Sequence, residues 1–200
     1  MYNFSIPMAL VDYIPVVFFG ITMVLLQRDL YNKMYKGAYA LFAAGTINVF
    51  MAGFLKATWK LLYAANICDF VALEEMFMPV NSIGLLLVGL SLIGMLCWKR
   101  KDAVMLSAAP AVFSGSLVFI LMMVIGLGGM CAVLSILAAR MKKKGAIVLF
   151  VLSFACAMGM GYMSSQDSTL ARVNWAERGI NIVSQGCLMW GTLVLQKADL

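Results

Sequence analysis

The feature that most constrains this fold is the recurrence of uncharged, apolar runs of about 20 residues. A helix needs about 20 such residues to cross a hydrocarbon core about 30 Å thick. Hydrophobic residues make up 64% of the 200-residue chain and charged residues 12%, a more apolar balance than soluble domains have. The runs predict six crossings, at about Met8–Gln27, Gly37–Leu55, Met76–Trp98, within Ala103–Ala139, Gly145–Met163 and Gly179–Gln196. The sequence therefore predicts an all-α integral membrane protein, a polytopic helical bundle forming a single transmembrane domain over residues 1–200.

The Ala103–Ala139 stretch leaves a second arrangement open. With one crossing there, Lys and Arg divide seven against eight between the two sides, which gives no orientation by the positive-inside rule. With two crossings they divide eleven against four, placing the N-terminus outside and the C-terminus in the cytoplasm. Yet 37 helical residues span about 55 Å, less than two crossings and a turn. Six transmembrane helices is the leading prediction, and seven, arranged three plus one plus three, is the alternative.

A short internal similarity predicts two three-helix repeat units, over residues 8–98 and 116–198. Lys36-Gly37-Ala38 with Leu41-Phe42 recurs as Lys144-Gly145-Ala146 with Leu149-Phe150. Membrane helices draw on few residue types, so chance similarity is the alternative explanation. Transporters built from such repeats place their sites at the repeat interface near the middle of the membrane. Six crossings would make two directly joined units inverted relative to each other.

The residue inventory removes several classes of chemistry. The chain has no histidine and five cysteines, and the cysteines form neither a close pair nor a CxxC motif. Zinc sites, histidine-assisted nucleophiles and haem ligation by histidine are therefore not expected. We predict no metal site and no cofactor. An intramembrane enzyme that acts on lipid through Glu74, Glu75 or Glu177 stays open as a less favoured alternative.

Polar residues inside the last predicted span are the clearest candidates for a binding site. Glu177, Asn181 and Gln185 follow at intervals of four, which stacks them on one helical face. Such residues line a path for a polar solute or hydrogen-bond to a neighbouring helix. The sequence leaves both interpretations open.

A matching polar group precedes the third span. Pro79 leaves a backbone carbonyl without its usual partner, and Asn81 and Ser82 are placed to satisfy it or to bind a ligand. Glu74 lies just before them, where a helix N-terminus favours an acidic residue. Asn81 and Ser82 are predicted to bind substrate together with the stripe in the last span.

Two isolated polar residues complete the candidates. Asn48 lies near the middle of the second span, and an amide there is expected to face the bundle interior. Asp12 is the one carboxylate set among the apolar residues of the first span. Asp12 and Glu74 are candidate ion or proton sites, although Asp12 is close enough to the start of its span to reach water.

These observations predict a small-solute transporter or channel, with a polar site between the third and last helices. The alternative is a non-catalytic membrane subunit that binds a partner protein or lipid through small-residue helix faces such as Gly126, Gly128 and Gly129. A homodimer is open under either interpretation. The basic clusters Lys99–Lys101 and Arg140–Lys144 are expected to set topology and contact anionic membrane lipids, and nucleic acid is not an expected partner. The expected location is a bacterial cytoplasmic (inner) membrane.

Overall fold

The computed structural model describes residues 5–97, 116–163 and 171–198. In these ranges every regular element is a helix, as the sequence predicts. The helices are α1 (Ile6–Val11), α2 (Tyr13–Leu30), α3 (Lys36–Ala64), α4 (Val71–Glu75), α5 (Phe77–Cys97), α6 (Ser116–Arg140), α7 (Lys144–Met163) and α8 (Ala171–Gln196).

Five stretches of the described chain are long and apolar enough to cross a membrane. They are Ile6–Leu30, which joins α1 and α2, Lys36–Ala64, Val71–Cys97, which joins α4 and α5, Leu117–Arg140 and Lys144–Met163. The outward-facing side chains are apolar as well, and Val24, Ile125 and Val148 are more than half exposed. These features are those of an integral membrane protein. The 26-residue α8 is as long as the others but is more polar.

Two helices extend beyond their predicted spans. α3 continues from Leu55 to Ala64 and includes Lys56 and Lys60, and α8 begins at Ala171, well before the predicted Gly179. Charged residues end an uncharged run, but they do not end a helix when their side chains find partners inside the protein. The Ala103–Ala139 stretch is described only from Ser116 onward, as α6. Trp98 and the Lys99–Lys101 cluster lie outside the described residues.

The six long helices form a closed ring. Going around it, α2 packs against α3, α3 against α5, α5 against α6, α6 against α7, and α7 against α8, which packs back against α2. Their inward side chains form one apolar cluster that draws residues from all six helices. The helices that begin and end the described chain are therefore neighbours.

Four neighbouring pairs run antiparallel. Tyr13 meets Thr58 near the start of α2, and Gln27 meets Thr46 near its end, so α2 and α3 run in opposite directions. Ser184 bonds to Ser153, whereas Gly191, further along α8, lies against Phe150, earlier in α7. α3 and α5 are also antiparallel. So are α6 and α7, which are joined by a short turn.

The contact between α5 and α6 joins two helices that run in the same direction. Gly126 lies against the backbone of Leu85, and Gly129, further along α6, lies against Ile93, further along α5. α2 and α8 are parallel in the same way, since Asp12 pairs with Arg178 and Phe18 lies against Gly186. Thus α2, α5, α6 and α8 all begin at the same end of the ring. We call it the mixed-charge end, since the Asp12–Arg178 pair lies there. These four helices finish at the opposite end, which we call the basic end.

The parallel directions of α5 and α6 separate the end of α5 from the start of α6. α5 finishes at the basic end with Cys97, and α6 starts at the mixed-charge end with Ser116. Cys97 and Ser116 therefore lie at opposite ends of the ring. The helices α2, α3 and α5 follow the same order of directions as α6, α7 and α8.

Close backbone packing holds α5 to α6. A Cβ atom at Gly89 would lie 2.6 Å from the carbonyl oxygen of Gly126, closer than any side chain tolerates. Gly128 faces Phe154 of α7, and Gly129 faces α5. The glycine face expected to receive a partner protein is therefore used inside the fold, because small residues let membrane helices approach each other.

Candidate functional site

An ion-paired group joins three helices at the mixed-charge end. Asp12, between α1 and α2, places Oδ1 2.8 Å from Nε of Arg178 on α8. Its other oxygen, Oδ2, lies 2.8 Å from Nζ of Lys60 on α3. The Arg178 side chain is only 5% exposed, and that of Asp12 12%. Charges buried to this degree are stable only when paired, so this carboxylate and guanidinium depend on each other.

The Arg178 guanidinium is held on its own helix as well. Nη1 donates a hydrogen bond of 2.8 Å to the backbone oxygen of Asn174, one turn earlier on α8. Arg178 and Asn174 are both buried. The guanidinium therefore has a fixed orientation towards Asp12, and its planar group of donors suits carboxylates.

Lys56 extends the charged group one turn further into the ring from Lys60. Its ammonium lies 3.9 Å from the centroid of the Phe77 ring, a cation–π contact. The charges that act on it are those of Lys60, Glu177, Glu74 and Asp12. We call Asp12, Lys56, Lys60, Glu74, Glu177 and Arg178 the charged cluster. It brings three candidates from the sequence together with three cations that the sequence reasoning did not select.

Hydrogen bonds fix the helix ends around the charged cluster. The Tyr13 hydroxyl lies 3.0 Å from Oγ1 of Thr58. The indole Nε1 of Trp59 donates to Oδ1 of Asp69 at 3.0 Å, and Trp59 is 1% exposed. These bonds secure the last turns of α3, which carry Lys60, to α2 and to the segment before α4.

The predicted stripe on α8 faces the interior of the ring. Asn181 and Gln185 lie on the side opposite to Gly179, Val183 and Trp190, which are exposed on the outer surface. The Oε1 atom of Gln185 is buried and has no hydrogen-bond partner among the described residues. A buried side-chain oxygen without a partner is uncommon in folded proteins, so Oε1 of Gln185 is a candidate contact for a ligand.

On α5, the two predicted residues have different roles. Asn81 is 7% exposed and shares the inward side of α5 with Val88 and Leu92. Ser82 is fully buried, but its hydroxyl donates to the carbonyl oxygen of Met78 one turn earlier. Asn81 therefore faces the ring interior, whereas the Ser82 hydroxyl is satisfied within its own helix.

The third and last helices lie on opposite sides of the ring. α5 packs against α3 and α6, and α8 against α7 and α2. Asn81 and Asn181 thus face the interior from opposite walls rather than meeting at a helix–helix contact. Asn48 lies three residues after Gly45, on the flank of α3 that packs against α5, and it precedes Lys56 of the charged cluster by about two helical turns.

The other half of the ring interior, towards the basic end, is mainly apolar, and its apolar side chains belong to the single core cluster. The buried hydroxyls of Ser91 and Thr192 there donate to carbonyl oxygens of their own helices. We call the following residues the apolar plug: Leu26, Phe42, Leu92, Met130 and Leu134. The interior is therefore polar and charged at one end and closed by large apolar side chains at the other.

The cations were missed because each lies just outside an uncharged run. Lys56 and Lys60 directly follow the predicted second span, and Arg178 directly precedes the predicted last one. The sequence feature that could have identified Lys56 and Lys60 is their four-residue spacing, which puts both on one helical face. No group of three potential metal ligands occurs among the described side chains.

Comparisons with models of protein families, with curated proteins and with solved structures find no match for this chain.

Proposed function

We propose that this protein is a small-solute transporter whose polar site lies inside the helix ring, between Asn81 of α5 and Asn181 and Gln185 of α8. The observation that carries the proposal is the division of the interior into a polar half and an apolar plug. Polar and charged residues in membrane helices are costly and mark solute or ion paths. The buried Oε1 of Gln185, which has no hydrogen-bond partner among the described residues, is the atom that a solute would satisfy.

We further propose seven crossings, with the N-terminus outside and the C-terminus in the cytoplasm. The parallel directions of α5 and α6, which place Cys97 and Ser116 at opposite ends of the ring, support an odd number of crossings. The basic end carries eight described cations, Arg28, Lys33, Lys36, Arg140, Lys142, Lys143, Lys144 and Lys197. The mixed-charge end carries four, Lys56, Lys60, Arg172 and Arg178, and its charged cluster contains as many carboxylates as cations. The positive-inside rule then makes the basic end cytoplasmic.

The helix directions also support the repeat. α2-α3-α5 and α6-α7-α8 each run up, down and up, as expected for parallel repeats related by an axis along the membrane normal. The units meet along two seams. The α5–α6 seam is backbone against backbone at Gly89 and Gly126, whereas the α2–α8 seam combines the Phe18–Gly186 contact with the Asp12–Arg178 ion pair.

This arrangement suggests how access to the site is controlled. The Asp12–Arg178 and Asp12–Lys60 pairs close the mixed-charge end by tying α2 to α3 and α8. Separation of α2 from α8 would release this gate and expose Asn181 and Gln185 to the outside. Parting of the apolar plug would then open the site to the cytoplasm, with the glycine-packed α5–α6 seam as the pivot.

Solute-induced thermal stabilisation tests the site. The purified protein is screened with a panel of amino acids, sugars, polyols and small carboxylates, and each stabilising solute is retested on an Asn181→Leu/Gln185→Leu variant. We expect the stabilisation to disappear in this variant. The matched control is Val183→Leu, on the outer face of the same helix, which should respond as the wild type does.

Equal stabilisation of the wild type and the double variant by the same solute would refute the site. Uptake of that solute into proteoliposomes then tests transport itself. Binding without uptake would refute the transporter and favour a non-catalytic binding subunit.

A further inference from the structure

A groove on the outer surface of the ring separates α2 from α3. Its volume is about 580 Å³. The walls are almost entirely apolar, and the outward residues Val17, Val24 and Ile47 are each more than half exposed. Val17, Gly20 and Val24 of α2 and Ile47, Phe50 and Met51 of α3 are among the residues that line it.

The groove has one polar end, which points towards the basic end of the ring. There the Gln27 side chain donates a hydrogen bond from Nε2 to Oγ1 of Thr46 at 2.5 Å. Thr46 in turn donates to the backbone oxygen of Ala43 at 2.8 Å. The two polar side chains are thus satisfied by protein groups, and the rest of the groove offers only apolar contacts.

Cations and tyrosines continue the groove walls beyond this polar end. Arg28 follows on α2 and Tyr31 comes directly after its last residue, while Lys36 and Tyr39 lie on the face of α3 that also carries Ile47 and Phe50. The Arg28 side chain is 63% exposed, and its Nε lies 3.0 Å from Oδ1 of the neighbouring Asp29. The two tyrosine rings meet edge to face with centroids 5.0 Å apart. Tyrosines at span ends are typical of the headgroup level of a membrane.

We propose that this groove binds one acyl chain of an anionic phospholipid, whose phosphate lies against Arg28 and Lys36. The groove extends along α2 from Val17 to Gln27, which is about 15 Å of helix. This is about half of a 30 Å hydrocarbon core, so the groove has the depth of a single leaflet. Cations next to the membrane surface favour anionic headgroups.

Charge argues against a second copy of the chain as the occupant. A symmetric dimer built on this groove would bring the same surface of both copies together. Arg28, Lys33 and Lys36 of one copy would then face the same cations of the other, and like charges at close range repel. A phospholipid phosphate has the opposite charge and fits this surface.

Native mass spectrometry of protein exchanged into phosphatidylglycerol or phosphatidylcholine tests the proposal. We expect the wild type to retain one phosphatidylglycerol and no phosphatidylcholine. Val24→Phe fills the groove and should abolish retention. Val148→Phe is the matched control, since Val148 on α7 is as exposed as Val24 (64% and 67%) but lies away from the groove.

The headgroup contact is tested by Arg28→Gln/Lys36→Gln, with Lys142→Gln/Lys144→Gln as the control that removes the same charge elsewhere at the basic end. Each cation near an anionic surface contributes roughly a five-fold gain in affinity, so the first variant should bind phosphatidylglycerol roughly 25-fold more weakly. Equal retention of the two lipids by the wild type, or equal retention by Val24→Phe and Val148→Phe, would overturn the proposal. So would a protein dimer that Val24→Phe dissociates.

Discussion

Asp12 and Arg178 form a 2.8 Å ion pair that joins the first helices of the chain to the last one. The same carboxylate also holds Lys60 of α3 at 2.8 Å. One acidic residue therefore connects three helices at the mixed-charge end, where α2 packs against α8.

Loss of Asp12 should be costly because it leaves a buried guanidinium without its partner. Removing one member of a buried pair typically costs about 3–5 kcal/mol, so Asp12→Asn should lower the unfolding temperature markedly. Asp12→Asn combined with Arg178→Gln should recover part of the loss. Lys33→Gln is the control, because Lys33 is exposed and surface substitutions usually change the free energy of unfolding by about 0.5 kcal/mol or less. A decrease in Asp12→Asn no larger than that in Lys33→Gln would contradict a structural role for the pair.

Gln185 should show the opposite behaviour in stability. Its buried Oε1 has no partner among the described residues, and an unsatisfied buried polar atom costs about 1–3 kcal/mol. Gln185→Leu should therefore unfold at a higher temperature than the wild type while losing any stabilisation by solute. Ser184→Leu, next to it, should unfold at a lower temperature, because Ser184 donates to the backbone oxygen of Ser153 at 2.8 Å. Destabilisation by Gln185→Leu would mean that the amide has a structural partner.

Gly126 should tolerate no side chain. Its Cβ would meet the backbone of Leu85 and Leu86, which cannot move aside as a flexible side chain does, and overpacking costs about 1–3 kcal/mol. Gly126→Ala should therefore lower the unfolding temperature. Gly159→Ala is the control, since no atom lies within 4 Å of its Cβ position and alanine favours helix. Similar unfolding temperatures for the two variants would contradict the tight α5–α6 seam.

Membrane topology can be read with cysteines that the protein already has. Cys68, between α3 and α4, and Cys97, at the end of α5, are both exposed. In single-cysteine variants on intact cells, a membrane-impermeant maleimide should label Cys68, and it should label Cys97 only after permeabilisation. Ser5→Cys should behave as Cys68 does and Ala198→Cys as Cys97 does, because the two positions lie at opposite ends of the ring. Labelling of Ser5→Cys and Ala198→Cys from the same side would rule out an odd number of crossings.

The sequence located most of the helices and three members of the charged cluster. The uncharged runs place α2, α5 and α7 within a few residues of their observed ends, since a crossing needs one continuous apolar stretch. The same criterion ended α3 at Leu55 and started α8 at Gly179, because it excludes every charge. Lys56, Lys60 and Arg178 were missed for that reason. The pattern of charged and apolar residues along the sequence does not show that a cation next to a span will pair with a carboxylate from another helix.

By itself, the sequence determined that this chain forms apolar helices for a membrane and that Asn181 and Gln185 share one face of the last of them. Both follow from local rules, the length of a crossing and the period of a helix. Only the tertiary structure decided that α5 and α6 run in the same direction, and that the α8 face looks inward. It also decided that Asp12 pairs with Arg178. Those relationships join residues far apart in the chain, and they depend on where glycine contacts let helices approach and on which buried charges must find partners.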